Sequence, residues 1–214
     1  MNKKERLLSC RLYGIADLGY IRPEYLPTAT EQLLAGGLGI LQLRAKGYTP
    51  ETIRDMGREL LPLCRRHGCL FILNDYPEIA VEIGADGVHL GQDDGPLEQA
   101  RQLLGMDAIL GRSTHSPEQA RQACREGADY IGFGPLFPTG TKPGRPAIGL
   151  QDIAHVHAML PEAFPVFCIG GINENTLPAV INAGARRTVI VSWLLTHHSP
   201  ATAVRHSRTR LGEV

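Results

Sequence analysis

The sequence predicts an α/β protein built as a single (β/α)8 barrel, the TIM-barrel architecture. Three observations lead to this expectation. A short unit recurs at 35–42, 84–90, 127–132 and 184–191, in which a helical pattern ends at a glycine and an apolar run follows. The runs are apolar throughout, which is typical of parallel strands buried on both faces. When the segments between these units are assigned in the same way, the chain contains eight strand–helix pairs. Its length of 214 residues lies near the lower end of the range for this barrel.

Each strand is an apolar run that stops at polar residues, and each helix follows with a helical pattern. The strands are expected near 12–16, 40–43, 70–73, 87–90, 108–112, 130–133, 166–169 and 188–191. The helices are expected near 28–36, 50–67, 77–84, 95–104, 116–126, 149–160, 173–183 and 199–211. Thr49-Pro50 and Ser116-Pro117 mark helix starts, because a capping hydroxyl precedes a proline at the first helical position. The competing doubly wound sheet would need a glycine-rich fingerprint after its first strand, which Gly14-Ile15-Ala16-Asp17 does not supply.

Composition narrows the functional classes. We expect one domain over 1–214, with 1–10 as an N-terminal extension. Lysine and arginine together count 22, as do aspartate and glutamate, so bulk charge offers no case for binding nucleic acid or an anionic membrane. No run approaches the roughly 20 apolar residues of a membrane span, and the N-terminus lacks a signal-peptide pattern, so a soluble cytoplasmic protein is expected. Five cysteines without a C-x-x-C pair are expected to be reduced thiols.

Polar residues at the ends of the second to fourth strands predict an anion and metal site. Gln42, Arg44 and Lys46 alternate with apolar residues, so their side chains share one face, although a solvated loop would show the same pattern. Asp75, in Asn74-Asp75, and Asp94 (or Asp93) would bring two carboxylates to one point. Mg²⁺ neutralises such a pair and also binds phosphate oxygens, whereas Asp75 alone could equally be a helix cap.

The remaining loops predict a second anion site and a loop that folds over the bound phosphate. The stretch 134–148 is long, basic and rich in hydroxyl groups, as functional loops often are. Barrels of this class commonly bind a phosphate at the carboxyl ends of the seventh and eighth strands, so a second anion site is expected there. Ser113 and His115 end the fifth strand and could assist proton transfer or bind a leaving group, whereas His89 is expected to be a core histidine. Two phosphorylated substrates meeting over Mg²⁺ suggest transfer of a group away from diphosphate.

These motifs together resemble the thiamine-phosphate synthase family, also called thiamine-phosphate pyrophosphorylase. The resemblance covers about 12–195 and rests on the segments 42–46, 74–75, 86–94, 113–115, 127–142, 169–172 and 191–192, in the expected order. It implies that 4-amino-5-hydroxymethyl-2-methylpyrimidine diphosphate and thiazole phosphate are joined to form thiamine phosphate and diphosphate. It also implies a dissociative route, in which diphosphate leaves before the thiazole nitrogen attacks. The implied partners are these small molecules, and a homo-oligomer is compatible with the resemblance.

The resemblance assigns roles to particular residues. Asp75 and Asp94 would hold Mg²⁺. Four residues are implied in catalysis because they would bind the diphosphate: Arg44, Lys46, Ser113 and Lys142. Gln42 and Asn74 would orient the pyrimidine. The residues implied around the thiazole phosphate are Thr139 and Thr141 in the loop after the sixth strand, and Gly171, Val191 and Ser192 beyond the seventh and eighth strands.

Four positions depart from the family pattern. Trp193 replaces a small residue and is expected to crowd the thiazole phosphate. Arg186-Arg187-Thr188, Arg112 and the first-strand segment 14–17 also differ from it. Two rival functions follow: a related thiazole tautomerase, in which His115 would be the acid/base, and a non-catalytic regulator that binds thiamine precursors. Retention of the cations and of both carboxylates favours the synthase.

Overall fold

The eight strands form a closed, all-parallel barrel, as the sequence predicted. A computed structural model describes residues 2–140 and 146–213. The strands run in the order of the chain, and the last pairs with the first. Their bounds are β1 Leu12–Asp17, β2 Ile40–Arg44, β3 Leu70–Asn74, β4 Gly87–Leu90, β5 Ile109–Thr114, β6 Tyr130–Phe133, β7 Val166–Ile169 and β8 Arg187–Ile190.

The helices surround this barrel, and the first of them lies under its lower end, which is the end formed by the amino termini of the strands. Their bounds are α1 Lys3–Ser9, α2 Leu26–Ala35, α3 Pro50–Arg66, α4 Pro77–Ile83, α5 Leu97–Leu104, α6 Pro117–Arg125, α7 Ile153–Met159, α8 Leu177–Asn182, α9 Ser192–Thr196 and α10 Pro200–Arg210, with a 3-10 turn at Pro23–Tyr25. Capping agrees with the sequence, because the Thr49 and Ser116 hydroxyls accept the amides of Thr52 and Gln119. Among the described residues, no helix combines the length and apolarity of a membrane span.

The helix bounds differ from the predictions where polar side chains form turns. The helix expected from 149 begins at Ile153, because Gly149 has φ +76° and the side-chain amide of Gln151 donates to the Ile148 carbonyl. The helix expected from 173 begins at Leu177, because the Asn173 side chain accepts the amides of residues 175 and 176 instead. The sequence did not predict α1 or α9.

The repeated Gly-Ala-Asp units explain how α1 is held. Asp86 accepts the amide of Phe71, and Asp129 accepts the amide of Leu110, so each repeat ties its strand to the preceding one. Lys3 pairs with Asp86 at 3.2 Å and Lys4 with Asp129 at 2.8 Å. The N-terminal extension is therefore attached under the barrel through α1, opposite the carboxyl ends of the strands.

Two departures from the family pattern belong to this packing. Arg187 donates to the backbone carbonyls of Leu8 and Cys10, so it anchors the end of α1 at the lower face of the barrel. Gly14 makes room for Leu38, whose Cδ2 would lie 2.7 Å from a Cβ at position 14. Neither Arg187 nor Gly14 lines the cavity at the carboxyl ends of the strands, whereas Ile15, in the same first-strand segment, does.

Candidate active site

A cavity opens at the carboxyl ends of the strands, where the polar residues converge. Counted with its open mouth it encloses about 860 Å³. Eight of the predicted site residues line it: Gln42, Arg44, Asn74, Ser113, Thr139, Gly171, Val191 and Ser192. His115 also lines it, with Nδ1 hydrogen-bonded to the Gly134 carbonyl. Thr141 and Lys142 lie outside the described residues.

Lys46, Asp75 and Asp94 form a cluster beside the cavity. Lys46 makes an ion pair with Asp75, and both carboxylates line a neighbouring groove between α4 and α5. Burial, followed by the hydrogen bond and charge of Asp94, raises the pKa of Asp75, although Lys46 opposes this. The pKa of Lys46 is raised. Partial burial by itself would lower it, but the hydrogen bond and charge of Asp75 and the charge of Asp94 outweigh this effect. Two carboxylates this close are the arrangement that a divalent cation would neutralise.

Arg44 is held in place by a residue that the sequence reasoning missed. Asp17, at the end of β1, is 1% exposed, and both its carboxylate oxygens lie 3.0 Å from Arg44 Nη1. The two residues are also direct register partners in the sheet. The Arg44 Nε–H is buried and has no hydrogen-bond partner within 2–140 and 146–213. A buried donor left in this state at the cavity wall favours an anionic ligand.

A chain of buried hydrogen bonds crosses the barrel interior from β2 to β5. The Gln42 amide donates to the Tyr13 hydroxyl at 2.7 Å, and the Tyr13 and Tyr130 hydroxyls are 2.9 Å apart. Tyr130 lies 3.0 Å from Nδ1 of His89, whose Nε2 lies 2.9 Å from the Ser113 hydroxyl. Burial raises the pKa of both tyrosines, so their hydroxyls stay protonated near neutrality.

Donor counting assigns one direction to this chain. In the assignment that gives every hydroxyl proton of the chain an acceptor, the Tyr13 hydroxyl accepts from the Gln42 nitrogen and donates to Tyr130, which in turn donates to His89 Nδ1. The proton of neutral His89 is then on Nε2 and is donated to the Ser113 oxygen. Ser113 therefore receives a hydrogen bond from behind, and its own proton is directed elsewhere.

Sequence reasoning could have found some of these partners. Asp17 ends an apolar strand, as do the other predicted site residues, and this signal was available. Tyr13 and Tyr130 lie inside apolar runs, where an aromatic residue is ordinarily core. His89 is the satisfied histidine that was expected, but it also lines the cavity.

The glycines after β7 allow the loop after β6 to pack closely. Gly170 has φ +103°, and a Cβ there would lie 2.5 Å from Pro135 Cα. A Cβ at Gly171 would lie 2.7 Å from that of Phe137. The Phe137 amide donates to the Gly170 carbonyl at 3.2 Å. The start of this loop is thus joined to the predicted phosphate end of the cavity.

Trp193 does not crowd the cavity, contrary to the expectation from sequence. Its indole packs against the rings of His197 and His206, with centroid distances of 5.8 and 6.2 Å. The preceding residues Val191 and Ser192 line the cavity instead. The backbone turns into α9 at Ser192, and this directs the indole toward α10.

Comparison with known proteins identifies a family for the chain. A family model described as thiamine monophosphate synthase matches residues 12–194. The chain belongs to the thiamine monophosphate synthase family. Its members include a thiamine-phosphate synthase from Thermus thermophilus, 47% identical over 182 residues, or 85% of this chain and 87% of that protein. One from Mycobacterium tuberculosis is 42% identical over 218 residues, with 97% of each chain covered.

A solved structure supports the same assignment. Thiamine phosphate pyrophosphorylase from Pyrococcus furiosus superposes with a TM-score of 0.86 at 30% identity, covering 98% of both chains. The sequence-based expectations of a (β/α)8 barrel and of a thiamine-phosphate synthase, a transferase acting on small molecules, are confirmed.

Proposed function

We propose that the chain forms thiamine phosphate in the central cavity by a dissociative reaction assisted by Mg²⁺. The substrates are the pyrimidine diphosphate and thiazole phosphate, and inorganic diphosphate is released. The observation that carries the proposal is the contact between Asp75 and Asp94 beside Lys46. This cluster adjoins the cavity lined by Arg44 and Asn74.

The carboxylate pair fits Mg²⁺. Within the part of the chain that the structure describes, no group of three or more His, Cys, Asp or Glu side chains is arranged to hold a metal ion. A cation at Asp75 and Asp94 would thus complete its shell with water and substrate oxygens, as Mg²⁺ commonly does. When bound, Mg²⁺ neutralises charge on the leaving diphosphate.

The cationic side chains stabilise the leaving group. The bond between the pyrimidine methylene carbon and the diphosphate oxygen breaks, and its electron pair goes to the diphosphate. Arg44, oriented by Asp17, and Lys46 bind the developing negative charge, together with Lys142. In the proton assignment given above, His89 donates to the Ser113 oxygen, which leaves the Ser113 proton for the same diphosphate oxygens. Gln42 and Asn74 orient the pyrimidine ring.

The opposite end of the cavity receives the thiazole phosphate. Gly171, Val191 and Ser192 line this end, and Thr139 reaches it from the loop after β6. Thr141 is assigned to the same phosphate. The thiazole nitrogen then attacks the pyrimidine methylene carbon, which forms the new carbon–nitrogen bond. The cavity's main task is charge stabilisation, and a strong general base is not required.

The test is product formation from both substrates and Mg²⁺, followed as thiamine phosphate. We expect turnover by the natural sequence and its loss in Asp75→Asn. We expect Lys142→Ala to slow coupling strongly while the melting temperature stays unchanged. Absence of product, with thiazole tautomer exchange intact in Asp75→Asn, would replace the synthase by the tautomerase. A near-normal rate in Lys142→Ala would remove Lys142 from the site.

A further inference from the structure

Arg112 is a buried cation whose side-chain hydrogen bonds both go to the loop 91–95. It lies on β5 beside the end of β4, as the register partner of Leu90, and is 7% exposed. Nη1 donates to the Gly91 carbonyl at 2.6 Å and Nη2 to the Gly95 carbonyl at 2.9 Å. No carboxylate of 2–140 or 146–213 pairs with it. Burying an unpaired guanidinium is costly, so these two bonds compensate a substantial penalty.

The loop that Arg112 holds carries Asp94. The two carbonyls belong to the residues three before and one after Asp94 in sequence. Asp94 closes the same turn, since its carboxylate accepts the Gly91 amide at 2.7 Å and its own amide donates to the Gly91 carbonyl at 3.3 Å. Gln92 donates to the Ser113 carbonyl, so a second bond ties the loop to β5.

Without such anchors this loop would not keep its position. Residues 93–96 are exposed, and Gly95 has φ +92°. Asp94 is in contact with Asp75, and the two like charges repel. Repulsion would move an unanchored loop away from β3 and separate the two carboxylates. The cation would then have to order the loop as it binds, and this entropic cost would weaken cation binding.

We propose that Arg112 is a positioning residue, whose buried guanidinium fixes loop 91–95 so that Asp94 stays beside Asp75 ready to bind the divalent cation. This rests on the metal site assigned under the proposed function. Arg112 lies under the loop, on the face of β5 opposite Ser113, because side chains alternate along a strand. Arg112 acts through the backbone of the loop and does not touch substrate.

The test measures cation binding directly, without turnover. Mn²⁺, used as a paramagnetic substitute for Mg²⁺, is titrated in the presence of inorganic diphosphate and followed by electron paramagnetic resonance. We expect Arg112→Met to raise the half-saturating Mn²⁺ concentration about tenfold, the usual size of such an indirect effect on a metal site. Arg112→Lys retains one cationic donor and should give a smaller shift. Hydrogen exchange at the Asp94 amide should accelerate in Arg112→Met.

Arg101→Met is the matched control. Arg101 also donates to backbone carbonyls, those of Ala108 and Gly127, but at the lower face of the barrel, where it additionally makes an ion pair with Asp129. Its replacement should lower the melting temperature and leave Mn²⁺ binding unchanged. Equal Mn²⁺ binding by Arg112→Met and the natural sequence would overturn the positioning role. If Arg112→Met does not fold, Arg112→Lys and the natural sequence decide the question. The positioning role is then overturned if Arg112→Lys binds Mn²⁺ as the natural sequence does and the Asp94 amide of the natural sequence exchanges rapidly.

The same titration separates this inference from the proposed function. If the natural sequence binds no Mn²⁺ with diphosphate, and Asp94→Asn behaves in the same way, the metal site itself is wrong. If the natural sequence binds Mn²⁺ and Asp94→Asn does not, the metal site stands. The comparison with Arg112→Met then decides the positioning role alone.

Discussion

Removal of the Tyr130 hydroxyl tests the buried hydrogen-bond chain most directly. Tyr130 is fully buried, and its hydroxyl bridges Tyr13 and His89 at 2.9 and 3.0 Å. Tyr130→Phe keeps the ring and opens no cavity, but deletes both bonds. At about 1–1.5 kcal/mol for each bond, the free energy of unfolding should fall by about 2–3 kcal/mol. For a chain of 214 residues this corresponds to a melting temperature lower by about 4–12 °C.

Chemical and thermal unfolding measure this loss, and Tyr25→Phe is the control. The Tyr25 hydroxyl has a comparable bond, from Arg22 at 3.0 Å, but the residue is 52% exposed. Its loss should stay within about 0.5 kcal/mol. A stability of Tyr130→Phe within that same margin would refute the reasoning, because the buried hydroxyl would then stabilise no more than an exposed one.

A double-mutant cycle isolates the bond between the two tyrosines. Tyr13→Phe removes the bonds to Tyr130 and Gln42. Because the bond between the hydroxyls is lost in either single variant, the double variant should lose about 1 kcal/mol less than the sum of the two. Strict additivity would mean that the hydroxyls are not coupled.

Three further outcomes are expected. Gly111→Ala should cost about 3 kcal/mol in unfolding experiments, because its Cβ would lie 2.2 Å from Cζ of Tyr130; an unchanged stability would contradict that packing. Burial, and then Arg186 and a neighbouring arginine, lower the pKa of His157 from 6.5 to about 4, so the unfolded chain takes up its proton first as pH falls. The difference in unfolding free energy between the natural sequence and His157→Gln should be constant above pH 6.5, and the natural sequence should lose about 1–2 kcal/mol relative to the variant toward pH 4, since partial exposure screens the effect. Trp193→Leu should leave the rate of thiamine phosphate formation unchanged, and a rate increase would restore the idea that the indole crowds the cavity.

The barrel was predictable because its signals are local. Glycine-terminated units followed by apolar runs recur along the chain, and each marks a helix end and a buried strand. Parallel strands place all their carboxyl ends at one rim, so residues such as Gln42, Asn74 and Ser113 were expected to converge, and they line one cavity. Helix starts were less predictable, since side chains such as that of Asn173 form turns that compete with the first helical turn.

The arrangement within the rim was not predictable, because it depends on contacts between distant residues. Tyr13 and Tyr130 are 117 positions apart, and nothing local distinguishes their hydroxyls from those of other core tyrosines. Arg44 could be assigned to an anion, but its orientation by Asp17 depends on the register of β1 with β2. The direction of the Trp193 side chain depends on where α9 begins and on its packing against α10.

The sequence by itself determined the barrel, the rim on which the site is built and the family to which the chain belongs. Periodicity, glycine positions and motif order are one-dimensional patterns, and they carry this information directly. Only the tertiary structure decided that Lys46 makes an ion pair with Asp75, that Asp94 and not Asp93 completes the carboxylate pair, and that Arg112 supports the loop of Asp94 from beneath. Those relations follow from barrel closure and strand register, which bring side chains from separate strands within hydrogen-bonding distance.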